Sequence, residues 1–230
     1  MLSANVVKRL IALVKKHEAS VSAPIPDVWR TKSDGELWAR VLGQIAVVGS
    51  AASGQALSRA IPNKDEWYKK LVGLSDRRLT TAINRKLLEA GVRYASDDKE
   101  ECRKTAAAVY NFQIINSYGG PFRFFENVAS IPLEVWRVAV VRDELAYIKN
   151  KGARDLLIGL GLITQAIAFD TRIMNILNHC GADIPEDLAS NKIKYKALEN
   201  ELLEKVCKPC GISGAHFDRI MFQSYAQIIV

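Results

Sequence analysis

Apolar residues recur at three- and four-residue steps along almost the whole chain, and the Val-Ile-Thr alternation of a half-buried strand is nearly absent. This pattern predicts an all-α fold of about eleven helices. Ser3 caps a first helix with Val6, Val7, Leu10, Leu13 and Val14 on one face, and Pro24 and Pro26 end that segment in a linker. Ser33 or Asp34 caps a second helix, Leu37 to about Val48, which is apolar nearly all round and therefore central. The small residues from Gly49 to Gly54 break it. Pro62 opens the next helix, and Ser75-Asp76 and Gly91 bracket another. A helix is expected from Asp97-Asp98 to about Ile115, with Ala106, Val109, Tyr110 and Gln113 facing inward. Tyr118-Gly119-Gly120-Pro121 is the strongest loop signal and reads as a domain crossover. Pro132, Asn191 and Ser213 open the remaining long helices.

Composition narrows the picture only in part. A chain of 230 residues, 49% hydrophobic, can build one large domain or two small ones. Lys and Arg number 32 against 25 Asp and Glu, a net charge of +7 that favours an anionic partner, nucleic acid before a membrane surface. The longest apolar region, Val41 to Leu57, is broken by Gln44, Ser50, Ser53 and Gln55 and is too short to span a bilayer. The first twenty residues carry charges inside their apolar run, unlike a signal peptide, so a cytoplasmic location is expected. Of the cysteines Cys102, Cys180, Cys207 and Cys210, only the last two lie close together. Reduced structural thiols are expected, with no metal site and no cofactor.

The candidate chemistry lies between Leu145 and Leu177. Lys151 opens a helix after a short polar turn, and Asp170 stands at the mouth of another, 19 residues on. A lysine near the positive end of a helix dipole and partly buried is favoured as the neutral amine, the form that attacks a carbonyl-like carbon. An aspartate at a helix start can be only a cap, or can face a cleft and steady a positive intermediate. Spacing alone favours the plainer reading of both residues.

Two strings change that weighting. Lys151-Gly152-Ala153-Arg154-Asp155-Leu156-Leu157 and Ala166-Ile167-Ala168-Phe169-Asp170-Thr171-Arg172-Ile173 resemble the signature of the helix-hairpin-helix (HhH-GPD) DNA glycosylase superfamily, in its lysine-bearing bifunctional branch without an iron–sulfur cluster, the branch like 8-oxoguanine DNA glycosylase. The stretch Leu37 to Gln44, similar to the family's early helix ending in glutamine, and Phe217 to Gln223 extend the likeness over residues 35 to 228. Tyr147 and Lys149 depart from it, standing where the family's hairpin has glycines, and Asn150 is the residue expected to supply a left-handed turn. A shifted register would put Arg154 in the lysine's place. The first register keeps the lysine-x-alanine string and the lysine–aspartate spacing together.

The resemblance implies two helical lobes with a helix-hairpin-helix motif, about 133–170, at a DNA-binding groove between them. One lobe is expected over 31–115 and the other over 1–30 plus 116–230. It implies a glycosylase/AP lyase of base excision repair in which Lys151 forms a Schiff base and Asp170 assists. Lys149, Asn150 and Gly152 would grip a DNA phosphate, and Gln44, Phe122 and Phe124 would line a base pocket, although an aromatic run such as Phe122 to Phe125 more often fills a core. The implied partner is double-stranded DNA with a damaged base, 8-oxoguanine first, bound by a nucleoid-associated monomer with no membrane role. Oxidised pyrimidines, a non-catalytic DNA-binding protein and an all-helical adaptor remain as alternatives.

Overall fold

A computed structural model describes residues 2–98 and 101–229, and among these every regular element is helical. In chain order they are α1 (Ala4–His17), α2 (Asp34–Ala46), α3 (Ala51–Ala60), α4 (Lys64–Leu71), α5 (Asp76–Glu89), α6 (Arg103–Ser117), α7 (Pro121–Ser130), α8 (Glu134–Glu144), α9 (Asn150–Gly159), α10 (Thr171–His179), α11 (Lys192–Leu202), α12 (Lys208–Cys210), α13 (Gly214–Gln223) and α14 (Tyr225–Ile229). A π-helical stretch, Leu203–Cys207, joins α11 to α12.

Many helix starts follow from local chemistry. Ser3 caps α1 through Val6 N–H, and Ser33 forms a reciprocal capping box with Glu36 at α2. Ser213 caps α13 through His216 N–H. Pro62 does not open α4. Asn63 is the cap, accepting Glu66 N–H, and the helix begins at Lys64. Of the helix expected from Asp97-Asp98, Lys99 and Glu100 lie outside the described residues, and α6 begins at Arg103.

The chain divides into two compact units, one of residues 28–149 and one formed by the segments up to Asp27 and from Asn150 onward. The middle unit is longer than the 31–115 expected, because α7 packs on both α2 and α6, and α8 on α7. Helix α2 is central to it and buries Leu37, Trp38, Val41, Leu42, Ile45 and Ala46. The inward face of α6 is not the one that apolar spacing indicated: Ala106, Tyr110 and Gln113 are exposed, while Lys104, Thr105, Ala108, Asn111 and Phe112 are buried. Polar groups mark that face, and each finds a partner. Lys104 Nζ donates to the Ala46 and Val48 carbonyls at 3.0 and 2.8 Å, closing the open end of α2, and Thr105 donates to Asn84 at 2.7 Å.

In the other unit, Val6, Leu10 and Val14 of α1 join a core with Ile173, Ile176 and Leu177 of α10, Leu198 and Leu202 of α11, and Phe217, Ile220 and Met221 of α13. After α9, Gly161 turns the chain with φ +69°. A side chain there would run into the Ile25 carbonyl oxygen at 2.4 Å, so glycine is needed both for the turn and for the approach. The four cysteines are free thiols.

Candidate active site

Helix α9 presents two different charged pairs. Arg154 lies on its buried side and meets Glu199 of α11 in a fork, Nε to Oε1 at 2.7 Å and a terminal nitrogen to Oε2 at 2.9 Å. Its guanidinium also lies 4.2 Å over the Tyr195 ring. Arg154 is therefore a structural anchor, which removes it as an alternative to Lys151. Lys151, on the first turn, points to the partly exposed side, where its Nζ meets Asp155 Oδ2 at 3.0 Å with 36% and 41% of the two side chains exposed.

The segment before Asp170 has no helix or sheet to satisfy its backbone, and side chains do so instead. Glu199 accepts Ile167 N–H at 3.0 Å. Tyr195 donates to the Ile167 carbonyl at 3.0 Å and accepts Phe169 N–H at 2.9 Å. Asp218 of α13 accepts Ala168 N–H at 2.6 Å. Gly214 lets α13 approach this closely, since a Cβ there would lie 2.9 Å from the Ala166 carbonyl oxygen. Burial pushes the Tyr195 hydroxyl well above its usual range, so it stays a phenol. Held in this way, Asp170 caps α10, its Oδ1 accepting Ile173 N–H at 2.9 Å.

Asp218 appears within a matched string of the sequence, but no role was assigned to it there. Its residue surface is partly exposed, yet dense protein surrounds the carboxyl, and this desolvation raises its pKa from 3.8 to about 7. The Ala168 N–H opposes the rise, the charges of Asp155 and Asp170 add to it, and that of Lys151 opposes it. Lys151, Asp155 and Asp170 each act on the Asp218 carboxyl, and all four residues belong to one unit of the protein. One helical turn beyond Asp218, Phe222 is exposed and carries the Arg172 guanidinium 4.2 Å over its ring. An aromatic–arginine surface of this kind can stack a nucleobase.

The turn before α9 differs from expectation. The left-handed residue is Tyr147, with φ +66°, and not Asn150, which is the first residue of α9. Buried Asn111 holds the turn by accepting Ala146 N–H at 2.7 Å and donating to the Ala146 carbonyl at 3.0 Å. The Asn150 side chain is buried and donates to the Ala189 carbonyl at 3.3 Å. Lys149 is exposed and Gly152 lies in the first turn of α9.

The three residues expected around a base do not share a pocket. Phe124 is fully buried, edge-on to Phe125 and Tyr118, and fills the core of the middle unit. Phe122 lies against Trp29 with ring centres 5.1 Å apart. Gln44 lines a cleft of about 400 Å³ with Lys32, Arg40, Ser58 and Lys64, and neither phenylalanine lines it. In the same unit, Tyr94 is exposed in a left-handed backbone with φ +65°, its ring 4.9 Å from the Arg93 guanidinium. A left-handed tyrosine is uncommon and has no marker in sequence.

Among the described residues, no group of three or more His, Cys, Asp or Glu side chains is arranged to hold a metal ion, and no helix is long and apolar enough to cross a membrane. Neither protein-family models nor curated protein sequences match the chain. Its fold is nevertheless that of the helical DNA glycosylases. In particular, it is similar to the crystal structure of Methanocaldococcus jannaschii 8-oxoguanine DNA glycosylase, with a TM-score of 0.66 and 16% identity over 94% of this chain and 92% of that one. The Methanocaldococcus jannaschii 8-oxoguanine glycosylase/lyase in complex with a 15mer DNA containing 8-oxoguanine aligns over 98% and 97%, with a TM-score of 0.63 and 15% identity. The 8-oxoguanine DNA glycosylase of Thermotoga maritima aligns over 94% and 92%, with a TM-score of 0.64 and 16% identity. At these identities the likeness is one of fold.

Proposed function

We propose that the protein is a DNA glycosylase with AP-lyase activity that acts on duplex DNA carrying a damaged base, 8-oxoguanine first. The observation that carries this reading is the placement of Lys151. It is a partly exposed amine on the first turn of α9, paired with Asp155, within a fold similar to that of solved glycosylases of that base. The damaged nucleotide leaves the base stack to reach such a site. Phe222 and Arg172 offer the flipped base a stacking surface, and the α9 N-terminus with Lys149 offers N–H groups and charge to a phosphate.

In the reaction, the Lys151 Nζ lone pair bonds to C1′ as the bond from C1′ to the base breaks, and the base leaves with that electron pair and takes up a proton. Asp170 steadies the positive charge that develops on the sugar. Opening of the sugar ring gives the Schiff base. Loss of a proton from C2′ then expels the 3′ phosphate and nicks the strand. Lys151 must lose a proton before it attacks.

The test is borohydride trapping on a duplex with an abasic site. A covalent complex that disappears in Lys151→Ala is expected. Absence of a complex with the unaltered protein, or a complex that survives the substitution, overturns the lysine mechanism. A panel of single-lesion duplexes, including oxidised pyrimidines, tests the base. If trapping fails while duplex binding still falls with salt, the non-catalytic DNA-binding reading takes its place.

A further inference from the structure

The cleft beside Gln44 is lined wholly by residues of the middle unit, and its two ends differ. It runs along one face of α2, bounded by α3 and the start of α4. The backbone of Lys64 packs on the first turn of α2, where a Cβ on Gly35 would lie 2.5 Å from the Lys64 carbonyl oxygen. That contact places Lys64 at the same end of the cleft as Lys32 and Glu36, and Arg40 follows one turn on. Glu36 is occupied by Lys32 at 3.4 Å and by Ser33 N–H at 3.1 Å, and among the described residues no ion pair joins Arg40 or Lys64 to a carboxylate. This end therefore carries an excess of positive charge. Gln44 stands about 6 Å further along the helix axis than Arg40, in company with Val47 and with Leu57 and Ser58 of α3. Between the ends, Gly43 lines the cleft from the interior of α2, and a Cβ there would meet nothing within 4 Å. No neighbour requires a glycine at this point, and an interior glycine weakens a helix relative to alanine. Its missing side chain leaves a flat strip of backbone open to whatever fills the cleft.

We propose that this cleft is a nucleotide-binding site, which takes a phosphate at Lys32, Arg40 and Lys64 and lays the base on Gly43 with its edge at Gln44. The volume of about 400 Å³ suits a small organic ligand. The cationic end selects a phosphate, with Arg40 as a planar fork and the two lysines as point charges. The Gln44 amide offers a donor and an acceptor together, the mixed pattern of a base edge. Val47 and Leu57 give the ring apolar contact. An inorganic anion would use only the first end, and an apolar molecule only the second. A flat group with a mixed polar edge, carried on a phosphate, uses both. The ligand is a free nucleotide or the phosphorylated terminus of a strand, which present the same chemistry. Lys151 does not line the cleft, and the proposal does not rest on the glycosylase reading.

The experiment is equilibrium dialysis of the full chain against labelled dAMP, deoxyadenosine, inorganic phosphate and a short oligonucleotide with and without a 5′ phosphate, with thermal melting measured alongside. A phosphorylated nucleotide should bind more tightly than deoxyadenosine or inorganic phosphate, and its affinity should fall as salt rises. Arg40→Gln should weaken that binding about ten-fold, the loss of one charge-assisted contact. Gly43→Leu should fill the cleft and abolish binding, with a melting temperature no lower than that of the unaltered protein. Lys151→Ala should bind as the unaltered protein does. Binding of dAMP supports a site for free nucleotides, and binding of the 5′-phosphorylated oligonucleotide alone supports a site for strand termini. Four results overturn the proposal: no binding of either, inorganic phosphate bound as tightly as dAMP, binding unchanged in both cleft variants, or binding lost in Lys151→Ala. Should Gly43→Leu not fold, Arg40→Gln decides, since Arg40 is exposed and its substitution leaves the core intact.

Discussion

The two sides of α9 carry the same kinds of charge in opposite circumstances. On the buried side, Arg154 and Glu199, 7% and 1% exposed, satisfy each other in a fork and tie α9 to α11 and to the chain before Asp170. On the other side, Lys151 and Asp155 meet in a partly solvated pair. A buried pair with matched hydrogen bonds is fixed in position. A half-exposed pair on the first turn leaves the amine within reach of a ligand. The contrast teaches that exposure, rather than the kind of charge, separates an anchoring pair from an accessible one on this helix.

Four substitutions can break or sharpen that contrast. Lys151→Ala should have the largest effect, complete loss of the borohydride-trapped complex with an unchanged melting profile, read by gel after incubation with an abasic duplex. Glu199→Ala should lower stability by about 3–5 kcal/mol, since it leaves Arg154 buried without its partner, and urea unfolding measures this. Asp218→Asn should act in the opposite direction. The native carboxyl is raised from 3.8 to about 7, so its contribution to stability is full below the unfolded value and is lost as pH rises through 7. Asparagine does not ionise, so the variant should be the more stable protein at pH 8, on the order of a few kcal/mol, with the gain fading toward pH 4. Melting curves across that range check the sign. Asp155→Asn should have the smallest effect, within about 0.5 kcal/mol in the same melts, because a half-exposed pair one turn apart is screened by water.

Local chemistry was legible where it is self-contained. The Ser33–Glu36 box, the Asp170 cap and the placement of Lys151 at a helix start all follow from side chains within a few residues of one another. The inward face of α6 was misread because Lys104, Thr105 and Asn111 are buried by partners 21 to 58 positions away. The hairpin was misread in the same way. Asn111 holds Ala146 from 35 positions away, and the left-handed residue is Tyr147, where residue type alone pointed to Asn150. Phe124 had the composition of a pocket residue and the position of a core one.

The sequence by itself determined an all-helical chain, most of its caps, and the lysine and aspartate that resemble a glycosylase pair, because helix periodicity and capping act over one or two turns. Only the tertiary structure decided that Arg154 is an anchor, that residues 116–149 belong with the middle unit, and that Asp218 holds the Ala168 N–H ahead of Asp170. Those outcomes depend on desolvation and on charges brought together from distant positions. A carboxyl group has the same spelling in the sequence whether water or protein surrounds it.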